Sequence, residues 1–129
     1  MSENQLAKIV VNSCFEIHTK MGPGLLESIY ESCLHYELSS QGLLVERQKQ
    51  LRIIYKGVEL PDAYRMDLCV EGKLIIELKT VDYINDLCIA QMLSYLKLSG
   101  IKLGLIVNFK TPLIKNGIRR IINGSLVAN

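Results

Sequence analysis

The stretch Arg65-Met66-Asp67-Leu68-Cys69-Val70-Glu71-Gly72-Lys73-Leu74-Ile75-Ile76-Glu77-Leu78-Lys79 holds two apolar-rich runs on either side of a turn-forming Glu71-Gly72-Lys73. A three-residue loop there makes a β-hairpin in which Val70 faces Leu74. One face then carries Val70 with Leu74, Leu68 with Ile76 and Met66 with Leu78, all apolar, as a core-facing side requires. The other carries Cys69 with Ile75, Asp67 with Glu77, and Arg65 with Lys79. Asp67 and Glu77 come within roughly 5 Å at their Cβ atoms, a spacing that disfavours two ionised carboxylates unless a cation or a proton lies between them. Hard oxygen ligands of this kind suit Mg²⁺ or Mn²⁺. Lys79, two residues beyond Glu77, projects to the same face, where its ammonium can orient a water. The alternative is a solvated face on which Arg65 and Lys79 balance the two acids. The apolar setting of Leu74 to Leu78, followed by a helix that should cover one face, favours the cation site.

Outward from the hairpin, Leu6, Ile9, Val10, Cys14, Ile17 and Met21 recur at helical spacing over Asn4 to Met21. Gly22-Pro23-Gly24 breaks this first helix, and Pro23 suits the start of a second, which runs to about Ser40. Residues 44 to 79 read as a meander of short strands, among them Leu51 to Tyr55, Val58 to Leu60, Tyr64 to Val70 and Leu74 to Lys79. Ile84 to Leu98 returns to helical periodicity, Gly100 stops it, and Ile101 to Asn108 reads as a mostly buried strand. A short helix is predicted around Leu113 to Ile122. The expected order is helix, helix, three strands, helix, strand, helix.

The chain has 129 residues, 49% hydrophobic and 22% charged, enough for one core without disulfides or a structural metal. Disorder, collagen and coiled-coil arrays are excluded, and a single domain over 1–129 is expected. Its apolar runs fall short of a bilayer span and its first residues lack a signal pattern, so a cytoplasmic location without membrane association is expected. Cys14, Cys33, Cys69 and Cys88 form no C-x-x-C pair, so they read as reduced thiols rather than zinc or redox ligands. All thirteen acids lie in residues 1–86, whereas residues 87–129 carry six basic residues and no acid. Lys97, Lys102, Lys110, Lys115, Arg119 and Arg120 are thus either a phosphate-attracting surface or solvated element edges.

Two helical constellations add polar groups. Gln91 and Tyr95 stand four residues apart on one helical face, able to bond a phosphate oxygen, a base edge or a carboxylate, or else simply forming the polar side of an amphipathic helix. Glu27 falls in the first turn of the second helix, where the helix dipole favours a carboxylate. Tyr30 follows on the same face, either beside a ligand or as a core residue with its hydroxyl satisfied at the edge. His18 is read as structural.

Together these residues carry a resemblance. Asp67 followed by Ile76-Glu77-Leu78-Lys79 resembles the bipartite signature of the PD-(D/E)xK phosphodiesterase superfamily, with Met66 in place of the signature proline. Gln91-Met92-Leu93-Ser94-Tyr95 is similar to the Q-x-x-x-Y motif of RecB-like exonucleases. Gly24-x-x-Glu27-x-x-Tyr30 is similar to the motif that names the GxxExxY proteins, a branch of that superfamily. The resemblance spans about Leu6 to Ile122 and implies an α/β fold with a restriction-endonuclease-like core, a mixed β-sheet flanked by helices. It further implies catalytic roles for Glu27, Asp67, Glu77 and Lys79; metal ligation by Asp67, Glu77 and the main-chain carbonyl of Leu78; and substrate positioning by Gln91, Tyr95 and Tyr30. The implied cofactor is Mg²⁺ or Mn²⁺, the implied partner DNA, and a homodimer is compatible with the resemblance. The expected activity is metal-dependent hydrolysis of DNA phosphodiester bonds. The alternatives are a non-catalytic nucleic-acid-binding or protein-interaction module on the same scaffold, and a small-molecule phosphohydrolase.

Overall fold

Ser2 opens the first helix, α1 (Glu3–Met21), through a reciprocal cap in which its hydroxyl accepts from the Gln5 N–H and the Gln5 side chain accepts from the Ser2 N–H. The structure is a computed structural model and describes residues 1–61 and 64–126. The second helix, α2 (Glu27–Ser40), starts later than the sequence predicts: Leu26 is its N-cap, and Pro23 lies in the bend ahead of it. Five strands follow, β1 (Val45–Gln50), β2 (Ile54–Tyr55), β3 (Val58–Glu59), β4 (Arg65–Val70) and β5 (Leu74–Lys79). The third helix, α3 (Asp86–Ser99), is capped by the Asn85 side chain and ended by Gly100 in the left-handed region at φ 77°. Next come β6 (Leu103–Asn108), a 3₁₀ turn (Ile114–Gly117) and β7 (Ile118–Ile122).

One five-stranded sheet has the order β1-β4-β5-β6-β7, and β2 with β3 forms a separate two-stranded ribbon. All neighbouring pairs in the large sheet are antiparallel except β5 with β6, whose parallel pairing requires the crossover that α3 supplies. Helices α1 and α2 cover one face, burying Leu6, Val10, Cys14, Leu34 and Leu38 against Leu68, Leu74, Ile76 and Leu105. Helix α3 covers the other, where Met92 and Leu96 meet Met66, Ile75 and Ile106. This mixed sheet between helical layers has the architecture of a restriction-endonuclease-like fold.

The hairpin register is the one the apolar pattern predicts, with Val70 on Leu74, Cys69 on Ile75 and Leu68 on Ile76. Three expectations are corrected. The helix predicted over Leu113 to Ile122 is a 3₁₀ turn followed by β7, because Ile118 to Ile122 completes the ladder of β6 instead of closing on itself. Between α2 and α3 there are five strands and not three; β1 was hidden by its polar, edge-strand composition. Met66 joins the α3 side of the core and not the side of Leu68. The cause lies at Asp67, which is missing from the ladders on both sides of β4, opposite Gln48 at φ 48°. The strand turns over at that point.

The last strand also redistributes the basic third. Arg119 and Arg120 are adjacent on β7 and so project to opposite faces, Arg120 reaching Asn4 on α1. Lys110 is spent on Asp82 at 2.6 Å. The six cations therefore do not form one continuous surface. No helix among the described residues is long and apolar enough to cross a membrane. The four cysteines are free, and burial pushes the Cys14 thiol up to about 12.

Asn108, at the end of β6, is buried and fixes the chain just after Lys79: its amide oxygen accepts from Val81 N–H at 3.1 Å and its amide nitrogen donates to the Val81 carbonyl at 2.8 Å. Gly117 packs on Asn108, where an added Cβ would stand 2.4 Å from the Asn108 carbonyl oxygen. Main chain cannot yield as a flexible side chain can. Gly117→Ala is therefore expected to destabilise the protein by about 2 kcal/mol, within the range for overpacked interiors, measured by chemical denaturation.

Candidate active site

Asp67 leaves its ladder because its carboxylate takes over the hydrogen bonding. Asp67 Oδ2 accepts from the Leu78 N–H at 2.9 Å, and Glu77 Oε1 accepts from the Asp67 N–H at 3.4 Å. Each acid thus bonds the main chain of the other's strand, and the two carboxyl groups lie within hydrogen-bonding reach of each other. The hairpin brings the acids near each other, but not as the cross-strand ladder pair that the register implies. They meet as side chains bonded to main chain, one step beyond the last regular pair.

Glu77 is buried, 4% exposed. Its other oxygen accepts from the Tyr64 hydroxyl at 2.8 Å. Burial, and then the charge of Asp67, push the Glu77 carboxyl up to about 8. Burial also raises Asp67, partly offset by the bond from Leu78 N–H. At neutral pH, without a cation, Glu77 therefore holds a proton and can donate it toward Asp67. Tyr64 stacks on Tyr95 with ring centroids 3.9 Å apart, and burial followed by the Glu77 charge raises the Tyr64 phenol.

On the α2 side of Asp67 lies a cavity of about 210 Å³ lined by Glu27, Ser28, Glu31, Gln48, Asp67 and Leu78. Glu27 is the first residue of α2, and its carboxylate accepts from Thr80 N–H at 3.0 Å and from the Thr80 hydroxyl at 3.3 Å, joining the helix start to the residue after Lys79. Gln48 bridges the wall, donating to Glu31 at 2.6 Å and to Asp67 at 3.3 Å. Arg47 neutralises Glu31 at 3.0 Å.

Leu78 lines the same cavity, and its N–H points toward β4. In a strand the C=O of a residue points to the same side as its N–H, so the Leu78 carbonyl also faces the Asp67 gap. Lys79 follows on the face of Glu77, half-buried, and its ammonium makes no hydrogen bond or ion pair among the described residues. Its main chain is held independently, Phe109 N–H donating to the Lys79 carbonyl at 3.0 Å.

Glu27, Asp67 and Leu78 thus share the cavity, Glu77 touches Asp67 from the α3 side, and Lys79 follows on β5. Tyr95 reaches the site through Tyr64. Gln91 lies exposed one turn before Tyr95 and bonds no described residue. Tyr30 needs correction as a substrate-positioning residue: it is wholly buried, stacked on Phe109 at 4.2 Å, with its hydroxyl donating to the Gly22 carbonyl and accepting from Leu25 N–H. It latches the loop that precedes Glu27. Tyr30→Phe should keep the stacking and lose about 1 kcal/mol for the unmade bonds, with faster amide exchange at Leu25. His18 binds the Thr111 carbonyl at 2.9 Å, a structural role.

Sequence reasoning missed Glu31, Gln48, Tyr64 and Asn108. Only Glu31 left a local signal, standing four residues after Glu27 on the same helical face.

Among the described residues no cluster of three or more His, Cys, Asp or Glu side chains forms a closed metal cage. Mg²⁺ does not need one, since it is bound through one or two carboxylates and keeps several waters. Two adjoining carboxyl groups and a main-chain carbonyl facing the same gap make an all-oxygen donor set that fits Mg²⁺ or Mn²⁺.

A restriction-endonuclease-like sheet carrying adjacent acids and a lysine at its strand ends defines a nuclease-like scaffold. A sequence model described as the PD-(D/E)XK nuclease superfamily matches residues 4–121. The chain belongs to that superfamily. No curated protein and no solved structure gives a match.

Proposed function

We propose that this protein is a Mg²⁺- or Mn²⁺-dependent nuclease that hydrolyses phosphodiester bonds in DNA, of the GxxExxY branch. The observation that carries this reading is the contact of Asp67 with Glu77, with Lys79 two residues further along β5 and its ammonium unpaired among the described residues. Asp67, Glu77 and the Leu78 carbonyl would hold the ion. When bound, it supplies positive charge to the phosphoryl oxygens and acidifies a water. Glu77 must first give up its proton, so cation and proton compete for one place. The Tyr64 hydroxyl keeps the Glu77 carboxylate turned toward Asp67 throughout.

Lys79 orients the attacking water and neutralises charge that develops on the phosphoryl oxygens, a role open to an ammonium that no described residue occupies. Glu27, anchored on Thr80, accepts a hydrogen bond from water on the cavity side. Tyr95 and Gln91 lie along one face of α3, where an amide and a phenol can bond successive phosphate oxygens. The restriction-endonuclease-like fold also carries non-catalytic functions, so activity has to be tested directly.

Purified protein assayed on linear, circular and single-stranded DNA, with and without Mn²⁺, is expected to cleave only in the presence of the metal. Salt-sensitive DNA binding with no cleavage and no metal binding would replace this reading with a non-catalytic module. Hydrolysis of nucleotides but of no polymer would replace it with a small-molecule phosphohydrolase.

A further inference from the structure

Residues 52–60 form an arm that stands apart from both cores. Tyr55 pairs with Val58 and Ile54 with Glu59, across a tight turn with Lys56 at φ 50° and Gly57 at φ 79°. Leu60 N–H donates to the Ile53 carbonyl at 2.9 Å. Alternation therefore puts Ile53, Tyr55, Val58 and Leu60 on one face, and the exposed Ile54 with the Arg52–Glu59 ion pair on the other. The apolar face is bare: Tyr55 is 62% exposed, Val58 61% and Leu60 40%. A two-stranded ribbon is marginal in water by itself, and an apolar face of this kind marks a contact surface.

A second bare apolar surface lies elsewhere on the chain. The cleft between α1 and α2, about 340 Å³, has the buried Ile17 at its floor, the half-buried Cys33 in its wall and the exposed Met21 and Tyr36 at its edges. Its rim carries Glu16 and Glu37 against Lys20, whereas the arm carries Arg52 and Lys56 against Glu59. Lys20 bonds Glu16 at 3.0 Å and also feels the charge of Glu37, so the rim carries two carboxylates against one ammonium. Arg52 is taken by Glu59 at 2.8 Å, and the Lys56 ammonium lies over the Tyr55 ring with no ion pair among the described residues. A ribbon with an apolar face and a net charge of one positive thus matches a cleft with apolar walls and a net charge of one negative.

We propose that the occupant of the α1–α2 cleft is the β2–β3 arm of a second copy of this chain, exchanged reciprocally about a twofold axis. Such an exchange covers both bare surfaces twice with one contact type, as an isologous dimer requires. A nucleic-acid strand is the poorer occupant for this arm, because Ile53, Val58 and Leu60 offer phosphates no donor and Arg52 is held by Glu59. The inference does not depend on the nuclease reading. It does bear on that site, because the arm's base is the bond from Leu51 N–H to the carbonyl of Tyr64 at 2.7 Å, and the Tyr64 hydroxyl holds Glu77.

Cys33, a half-buried thiol in the cleft wall, gives a direct test. In a Cys88→Ser background, Tyr55→Cys and Val58→Cys are each oxidised and run on a non-reducing gel, with Cys33→Ser added as control. A cross-linked dimer from at least one arm position, lost with Cys33→Ser, is the expected result. No cross-link from either position, or one that persists with Cys33→Ser, overturns the proposal. Sedimentation provides the second measurement. Wild type should be dimeric at micromolar concentration, and Val58→Asp should weaken association by roughly a hundredfold, the effect of placing a carboxylate in an apolar contact, with unchanged circular dichroism. A monomeric wild type, an undiminished Val58→Asp dimer, or a monomer whose DNA binding alone is lost in Val58→Asp each contradicts it.

Discussion

Lys79→Met is expected to lower DNA cleavage by about a thousandfold or more, the scale on which removal of a preset charge-stabilising group acts, while leaving the fold in place. The ammonium has no partner among the described residues, so its loss orphans no buried acid. Methionine keeps an unbranched stem at this half-buried position, and the strand end remains fixed by the Phe109 N–H bond at 3.0 Å. Melting temperature and Mn²⁺ affinity should therefore change little, which separates loss of chemistry from loss of structure. Lys79→Arg should recover only part of the activity, because a planar guanidinium cannot reproduce the compact charge. Normal turnover by Lys79→Met would remove the lysine from the mechanism.

A second large effect is the pH dependence of the metal-free protein. The Glu77 carboxyl is shifted from 4.5 to about 8 by burial and by Asp67. Between those values the folded chain holds a proton that the unfolded chain has lost, so stability falls as pH rises through the window and levels off above it. The total fall is on the order of a few kcal/mol. Glu77→Gln keeps the neutral, hydrogen-bonded form, and should flatten the slope and make the metal-free protein more stable than wild type at alkaline pH. Saturating Mg²⁺ should restore wild-type stability there, since an ion that binds only the folded state stabilises it by mass action. Denaturant titrations at several pH values, with and without Mg²⁺, measure all three. A wild-type stability that rises across the same window would contradict the assigned state of Glu77.

The hairpin was legible because its information is local. Glu71-Gly72-Lys73 sets the loop, and the apolar alternation of Leu68, Val70, Leu74 and Ile76 permits one register. That register alone brought Asp67 near Glu77. Helix α1 was equally plain, since its buried residues repeat at helical spacing over its length. The Ile118–Ile122 segment was not legible, because Ile118, Ile121 and Ile122 satisfy helical spacing as well as a short strand does, and β6 decides between them from a distance. The placement of Gln48, Tyr64 and Asn108 around the site depends on pairings between separate elements, which no local pattern encodes. Tyr30 shows the converse. Its spacing after Glu27 suggested a shared task, and the task it performs is to anchor the loop that delivers Glu27.

The twist of β4 at Asp67 follows from the same physics. A carboxylate that bonds the Leu78 N–H occupies the place of a ladder carbonyl, so regular pairing ends there and the Leu78 carbonyl is left facing the gap. Sheet regularity is given up at the row that holds the proposed ligand atoms.

The most direct measurement of the central claim is calorimetric titration of Mn²⁺ into the metal-free protein at neutral pH, in two buffers of different ionisation enthalpy. The account predicts that the ion binds with release of the Glu77 proton, that Asp67→Asn weakens binding, and that Glu77→Gln abolishes the proton release. Absence of Mn²⁺ binding, or binding of equal strength and equal proton release in wild type and Glu77→Gln, would contradict it.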